Sequence, residues 1–331
     1  MSSNEKRKTI LVTGGAGFIG SHFIKHLLKG RENYNVVNVD ALSYAADLNR
    51  LKGVDKDKRY RFIKADVRDR ASLEAAFSGK IDAVVHFAAE THVDNSIETP
   101  VLFGDVNVRG TLNLLDVARK NGVEKYVQIS TDEVYGEIKE GFFTETSPLL
   151  PNSPYSASKV AADCFVRAYI RTYDFPAVIV RPCNNYGPGQ YPEKFIPVAA
   201  TKAFKGEEIP VYARGLNMRE WLYVADCAKA VTLVLEKGKV GEIYNVGSGV
   251  EKKNIDIAEK VLDICGRSRD FISFVEDRPG HDFRYALDSS KIRELGWCPK
   301  TNFDEGLKKT VRWYGRSLKD EQDFCEEVKC I

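Results

Sequence analysis

The sequence predicts an α/β fold built on a doubly wound parallel sheet, and three observations carry that expectation. Short apolar, β-branched runs alternate with helix-length segments through the first half of the chain: "TILVT", "NVVNVD", "YRFIKAD", "DAVVHFA", "KYVQIST" and "AVIVRP". Strands that alternate with helices cross over and lie parallel. The runs are apolar nearly throughout rather than at every second position, so helices should cover both faces of the sheet. Finally, 331 residues are enough to bury one large or two unequal cores.

The first element, "ILVTGGAGFIGSHFIKHLL", reads as strand, glycine-rich turn and amphipathic helix. Gly15, Gly17 and Gly20 satisfy G-x-G-x-x-G, and Gly14 adds an overlapping frame. Without side chains, such a turn lets backbone N–H groups and a helix N-terminus meet a pyrophosphate. Gly14, Gly17, Phe18, Ile19 and Gly20 are therefore expected at a dinucleotide, in a Rossmann-like domain. Asp40 ends the second strand run about 20 residues past the last motif glycine, where a carboxylate accepts from a ribose and favours NAD over NADP. Asp66 ends the third run, as an adenine contact or a helix cap. Ala88 and Ala89 end the fourth, in "HFAAETH", where small side chains let a cofactor pass or simply pack closely.

The fifth run leads into "STDEVYG". Ser130 to Glu133 matches a capping box, but Gly136 interrupts any helix that would follow. Thr131, Asp132 and Glu133 are therefore read as site residues at a strand's C-terminal end. Two adjacent carboxyl groups suit elimination of water, one removing a proton and the other protonating a leaving hydroxyl. In "NSPYSASK", Ser153 is a good N-cap and Pro154 suits the first helical position. Tyr155 and Lys159 then share a helix face. The ammonium and the helix dipole are expected to favour the phenolate of Tyr155, which could then take a hydroxyl proton.

After residue 183 the pattern loosens. The loop "CNNYGPGQYPEKFIP" is followed by strand candidates "IPVYA", "EIYNVG" and "ISFVED" and by helical patterns near 224–236, 254–266 and 303–318. The expected division is 1–183 as the NAD-binding, Rossmann-like domain, which also carries the catalytic residues. Residues 184–331 form a smaller, mainly substrate-binding α/β lobe, with 220–245 able to pack back on the first domain.

Composition excludes several classes. Lys plus Arg 49 against Asp plus Glu 47 leaves a net charge of +2 without clustering, which argues against a nucleic-acid footprint. Lys6, Arg7 and Lys8 are read as solvated. Seven dispersed cysteines (Cys164, Cys183, Cys227, Cys265, Cys298, Cys325, Cys330) without a C-x-x-C pair fit reduced thiols and no zinc site. Cys330 is not placed for prenylation. No apolar run approaches the ~18 residues that span a bilayer, and no signal peptide is present, so a cytoplasmic protein is expected. His86 and His92 are read as satisfied structural histidines. His22 and His26 are assigned to a packed or solvated helix face. No metal is expected.

Taken in order, "TGGAGFIGSHF", "VDALSYA", "HFAAETHVDNSI", "STDEVYG", "SPYSASK", "NNYGPGQYPEKFIP", "REWLYV", "EKKNI" and "DRPGHDFRYA" give the chain a resemblance. Over nearly its whole length it is similar to the nucleoside-diphosphate-sugar 4,6-dehydratases of the extended short-chain dehydrogenase/reductases. That resemblance implies NAD as cofactor, a nucleotide-sugar substrate with dTDP-glucose foremost, and a homodimer paired through 105–122 and 155–173. It also implies roles. Tyr155 would be the base for C4 oxidation, Lys159 would bind the nicotinamide ribose and Thr131 would bond the sugar O4. Glu133 would remove the C5 proton and Asp132 would protonate the departing C6 hydroxyl. Val67 and Asn185 would add cofactor contacts. Thr91, Asn184, Lys194, Phe195, Ile196, Pro197, Pro210, Tyr212, Arg219, Asn254, Arg278 and His281 would hold the substrate. Guanidinium forks independently suit a diphosphate at Arg219 and Arg278. The chain departs from the bacterial pattern at "VRPCNNYGP", "SGVEKKN" and "GPGQ", which leaves the base open among thymine, uracil and cytosine. Two alternatives stand beside this reading. One is an epimerase or decarboxylase of the same family, which needs no Asp132–Glu133 pair; the other is a non-catalytic nucleotide sensor.

Overall fold

The computed structural model describes residues 7–329, with side chains to residue 318. Lys6, Cys330 and the side chain of Cys325 lie outside the described residues. The strands of the first half are β1 (Lys8–Thr13), β2 (Tyr34–Asp40), β3 (Tyr60–Lys64), β4 (Ala83–His86), β5 (Lys125–Ile129) and β6 (Ala177–Pro182). Those of the second half are β7 (Asn184–Tyr186), β8 (Ile209–Tyr212), β9 (Met218–Tyr223), β10 (Ile243–Val246), β11 (Glu251–Lys253) and β12 (Ile272–Val275). Seven strands form one sheet in the order β3-β2-β1-β4-β5-β6-β10, every neighbouring pair parallel. The order reverses direction between β1 and β4, the place where a doubly wound sheet opens a crevice beyond its strand ends.

Alternate residues of β1 explain the two-sided burial. Ile10 and Val12 enter one core with Phe23, Ile24 and Leu27 of helix Phe18–Gly30 and Val231, Val234 and Leu235 of helix Val224–Lys237. Leu11 enters the other with Leu73, Leu114, Leu115 and Val166 from the helices of the opposite face. Each such side chain contributes roughly 1.5–3 kcal/mol by burial, so the sheet is a rigid platform for its C-terminal edge.

The strand candidate at "EIYNVG" falls largely within the 220–245 segment able to pack back on the first domain. It is β10 and extends the seven-stranded sheet beside β6 rather than joining the lobe. Helix Val224–Lys237 accompanies it, packing beside helix Phe18–Gly30. The remaining strands build two small sheets, β11-β9-β7 and β12-β8, around a third core of Ile196, Ala199, Val211, Trp221, Ile257 and Leu307. The segment read as a continuous loop, 183–197, contains β7 and starts helix Phe195–Lys205, whose polar neighbours mask a short apolar face. Residues 104–109 coil as a wide π-type turn ahead of helix Gly110–Lys120. Among the described residues no helix is long and apolar enough to cross a membrane.

Candidate active site

A cleft of about 670 Å³ runs beyond the C-terminal ends of the main sheet and under the small sheets. Every residue named above as a candidate contact lines it except Ile196 and Pro197. Those two are corrected: helix Phe195–Lys205 turns Ile196 into the third core and buries Pro197 away from the cleft, while Phe195 and Val198 take the cleft side.

The glycine turn forms as the motif requires. Gly14 has φ +69°, and a Cβ there would lie 2.6 Å from the Ala88 nitrogen. At Gly20 an added Cβ would lie 2.3 Å from the Gly14 oxygen, and at Gly15 it would meet Asn38 at 2.2 Å. The helix that follows has Gly17 as its N-cap and no side-chain cap bond, so its first amides remain for an anion. Asp40 accepts from the backbone N–H of Ala16 at 2.9 Å and of Leu42 at 2.8 Å, tying the glycine turn to the end of β2. Burial nevertheless holds its carboxyl above the ordinary range. Asp66 closes a turn on Arg68, whose guanidinium holds its carboxyl below that range. Asn107, unremarked in the sequence, bonds the Glu90 N–H at 2.9 Å and carbonyl at 3.0 Å, and Ser158 at 2.8 Å. It pins the Ala88–Ala89 strip to the Tyr155 helix from inside the π-type turn.

At the end of β5 the chain makes one 3₁₀ turn, Asp132–Tyr135. Thr131, not Ser130, caps it, its hydroxyl accepting from the Glu133 N–H at 3.3 Å. Ser130 instead donates to Asp163 at 3.0 Å. The turn places two adjacent carboxyl groups in unlike surroundings. Asp132 is 2% exposed, with one oxygen bonded to Thr131 at 3.2 Å and the other buried without a partner. Burial first, then the charges of Glu133 and Glu220, raise its pKa well above the usual carboxylate value. Glu133 is also raised by burial, but Lys194, Arg278 and Arg219 face it and favour its anion. Environments that separate two carboxyl groups in this way assign one as acid and one as base.

Ser153 caps helix Pro154–Tyr173 in a reciprocal box with Ser156, and Pro154 occupies its first turn. Tyr155 and Lys159 are both buried and both face the cleft. The expected lowering of the Tyr155 pKa is corrected: burial and the Glu133 charge raise it, opposed by the Thr131 hydroxyl beside it. The Lys159 ammonium turns to the Ile129 carbonyl at 2.7 Å instead, and burial lowers its pKa to about 8. Behind it, Asp163 pairs with the fully buried Arg181, which also donates to the Tyr135 hydroxyl.

At the far end, Arg219 donates only to carbonyls (Met218, Asp282, Phe283) and lies over the Tyr285 ring at 4.4 Å. Arg278 pairs with Asp94 at 3.1 Å, and Asp94 also accepts from Tyr212 at 3.0 Å. Lys194 reaches the Thr91 carbonyl at 2.6 Å, and His281 pairs with Asp277 at 2.6 Å. Asp94 and Tyr285 lie within the segments "HFAAETHVDNSI" and "DRPGHDFRYA" but carry no assigned role there; the fold brings them to these cations. His86 bonds Thr13 at 2.6 Å and Thr111 at 3.1 Å, the satisfied core histidine expected, and His92 caps helix Val93–Glu98. His22 meets the Pro188 carbonyl.

Comparison with known proteins supplies an independent frame. The family model described as GDP-mannose 4,6 dehydratase matches residues 11–310. The low-salt glycan biosynthesis protein Agl12 of Haloferax volcanii is 49% identical over 92% of this chain and 98% of its own. A dTDP-glucose 4,6-dehydratase of Streptomyces niveus is 45% identical over 97% of this chain and 95% of its own. The crystal structure of DesIV, a dTDP-glucose 4,6-dehydratase from Streptomyces venezuelae with NAD and dTDP bound, superposes with a TM-score of 0.90. It is 48% identical, over 92% of this chain and 96% of that one.

Proposed function

Because the chain belongs to the GDP-mannose 4,6-dehydratase family, we propose that it is an NAD-dependent dTDP-glucose 4,6-dehydratase, converting the substrate to dTDP-4-keto-6-deoxyglucose and water. The observation that carries this reading is the Asp132–Glu133 pair at the end of β5 beside Tyr155, both carboxyls raised by burial but in unlike surroundings: Asp132 among further carboxylates, Glu133 faced by Lys194, Arg278 and Arg219. An epimerase or a nucleotide sensor has no use for that pair.

The residues present fit a dinucleotide: the glycine turn leaves no room for a Cβ, the helix amides behind it are uncapped, and Asp40 and Asp66 stand at the ends of β2 and β3. When bound, NAD would supply a hydride acceptor for C4 and a donor for C6, and its cationic ring would favour a Tyr155 phenolate. Tyr155 takes the C4 hydroxyl proton, with Thr131 bonded to the same oxygen. The C4 ketone acidifies C5–H, and Glu133 removes that proton. Asp132, kept protonated, gives its proton to the C6 hydroxyl, which leaves as water. Hydride addition at C6 and protonation at C5 then complete a reaction with no net oxidation. Lys159 orients the nicotinamide ribose. Arg219, Arg278, Lys194, His281, Asn184 and Asn254 hold the diphosphate and base.

The protein works in the cytoplasm as a homodimer. Supporting the dimer, Phe165 and Tyr173 of helix Pro154–Tyr173 and Val101 ahead of the π-type turn are exposed apolar side chains beside the helices that the resemblance pairs. Incubating the purified protein with dTDP-, UDP- and CDP-glucose tests the function. Loss of one water from dTDP-glucose, seen by mass, is expected; an epimerised sugar of unchanged mass refutes it.

A further inference from the structure

Arg50 is half-buried, has no carboxylate partner among the described ion pairs, and spends its guanidinium on three carbonyl groups of three separate segments. Its Nε donates to Gly189 at 2.7 Å, and its Nη1 donates to Ala16 at 2.9 Å and to Ala45 at 2.7 Å. Ala16 belongs to the glycine turn, while Ala45 and the neighbours of Gly189 line the same cleft. The backbone N–H of Asp47 also donates to the Ala16 carbonyl, at 3.0 Å. Above these bonds the two outer segments meet each other. The Tyr44 and Tyr191 rings meet edge to face with their centroids 5.4 Å apart, and the Glu193 charge lies near the Tyr44 hydroxyl and raises its pKa after burial does. Residues 43–46 and 190–193 thus join across the groove that leads away from the glycine turn.

We propose that these segments form a strap that retains the cofactor, and that Arg50 is the pin that locks it to the glycine turn. The inference rests on the dehydratase reading, and that chemistry gives it a reason. Hydride leaves C4 and returns to C6 within one turnover, so the dinucleotide ends as it began and has no need to exchange. An ordinary dehydrogenase must release its cofactor every cycle and gains nothing from such a pin. Arginine suits the position because its planar fork satisfies carbonyls at fixed angles on two sides, where a lysine would supply a single point charge.

The test loads purified protein with isotopically labelled NAD, chases with an excess of unlabelled NAD, and follows release by rapid gel filtration. Arg50→Ala and, on the exposed part of the strap, Tyr44→Ala are compared with the wild type, their folding checked by circular dichroism. Loss of charge-assisted bonds to carbonyls should accelerate release at least ~10-fold in Arg50→Ala, and Tyr44→Ala should move release the same way by less. Tyr44→Ala decides the matter should Arg50→Ala not fold. Wild-type protein that retains label while the folded variants release it no faster overturns the strap and leaves the dehydratase reading intact. Wild-type protein that yields no NAD on denaturation and takes up none overturns both.

Discussion

Replacing Asp132 with Asn makes a buried carboxyl permanently neutral at nearly constant shape. The side chain is buried, with one oxygen on Thr131 and the other unpartnered, so an amide can occupy the same space. Its folded pKa is raised by burial and by Glu133 and Glu220. A carboxyl raised on folding binds more protons in the folded state than in the unfolded one. Its favourable contribution is therefore complete below the unfolded pKa of ~3.9 and is lost as pH rises toward the folded value. The loss runs at ~1.4 kcal/mol per pH unit, so a two-unit rise within that window is worth ~3 kcal/mol. Asn does not titrate. The variant should gain on the wild type by that slope and level off once Asp132 ionises. Urea unfolding of both proteins at about pH 5, 6 and 7 measures the gap. Turnover should meanwhile fall ~10²–10⁴-fold, the usual contribution of a positioned acid. A variant that loses activity with a stability gap independent of pH would show that Asp132 is not held as a neutral acid.

The other carboxyl should behave differently. Glu133→Gln removes the C5 base, so solvent deuterium should not enter C5 of recovered substrate, whereas Asp132→Asn should still permit that exchange; equal exchange in both means that the roles are misassigned. Asp163→Asn leaves Arg181 buried without its charge partner and should cost ~3–5 kcal/mol in denaturant unfolding, while a loss under ~1 kcal/mol would show that Arg181 finds other partners. Gly14→Ala forces a side chain into a left-handed conformation against the Ala88 backbone. It should cost ~1–3 kcal/mol and abolish NAD uptake measured by dialysis.

Much of this molecule is legible in its sequence, for a physical reason. The inner parallel strands are buried on both faces, so β1, β2 and β4 to β6 announce themselves as nearly continuous apolar runs, while the edge strand β3 alternates as "YRFIK", and glycines mark the turn where backbone must approach a ligand. The lobe is less legible because its strands are three to six residues long and half-polar, as in "NNY" and "EKK". The return of β10 to β6, within the segment able to pack back, could not be fixed from sequence because distance along the chain hides the crossover. Spacing placed Tyr155 and Lys159 on one helix face but could not show that Lys159 turns to the Ile129 carbonyl, leaving burial to dominate the phenol. Arg50 and Asn107 escaped notice because they bond backbone and belong to no motif, and Asp94, though inside "HFAAETHVDNSI", because its partner Arg278 lies far along the chain.

One site removes a hydride from C4 and gives it back at C6 after water has left. Supplying dTDP-glucose deuterated at C4 and locating the label in the product by mass spectrometry and NMR measures this directly. Deuterium is expected at C6 of a 4-keto-6-deoxy sugar, with hydrogen from solvent at C5 and no accumulation of NADH. Deuterium retained at C4 of an epimerised sugar, or lost to solvent, would contradict it.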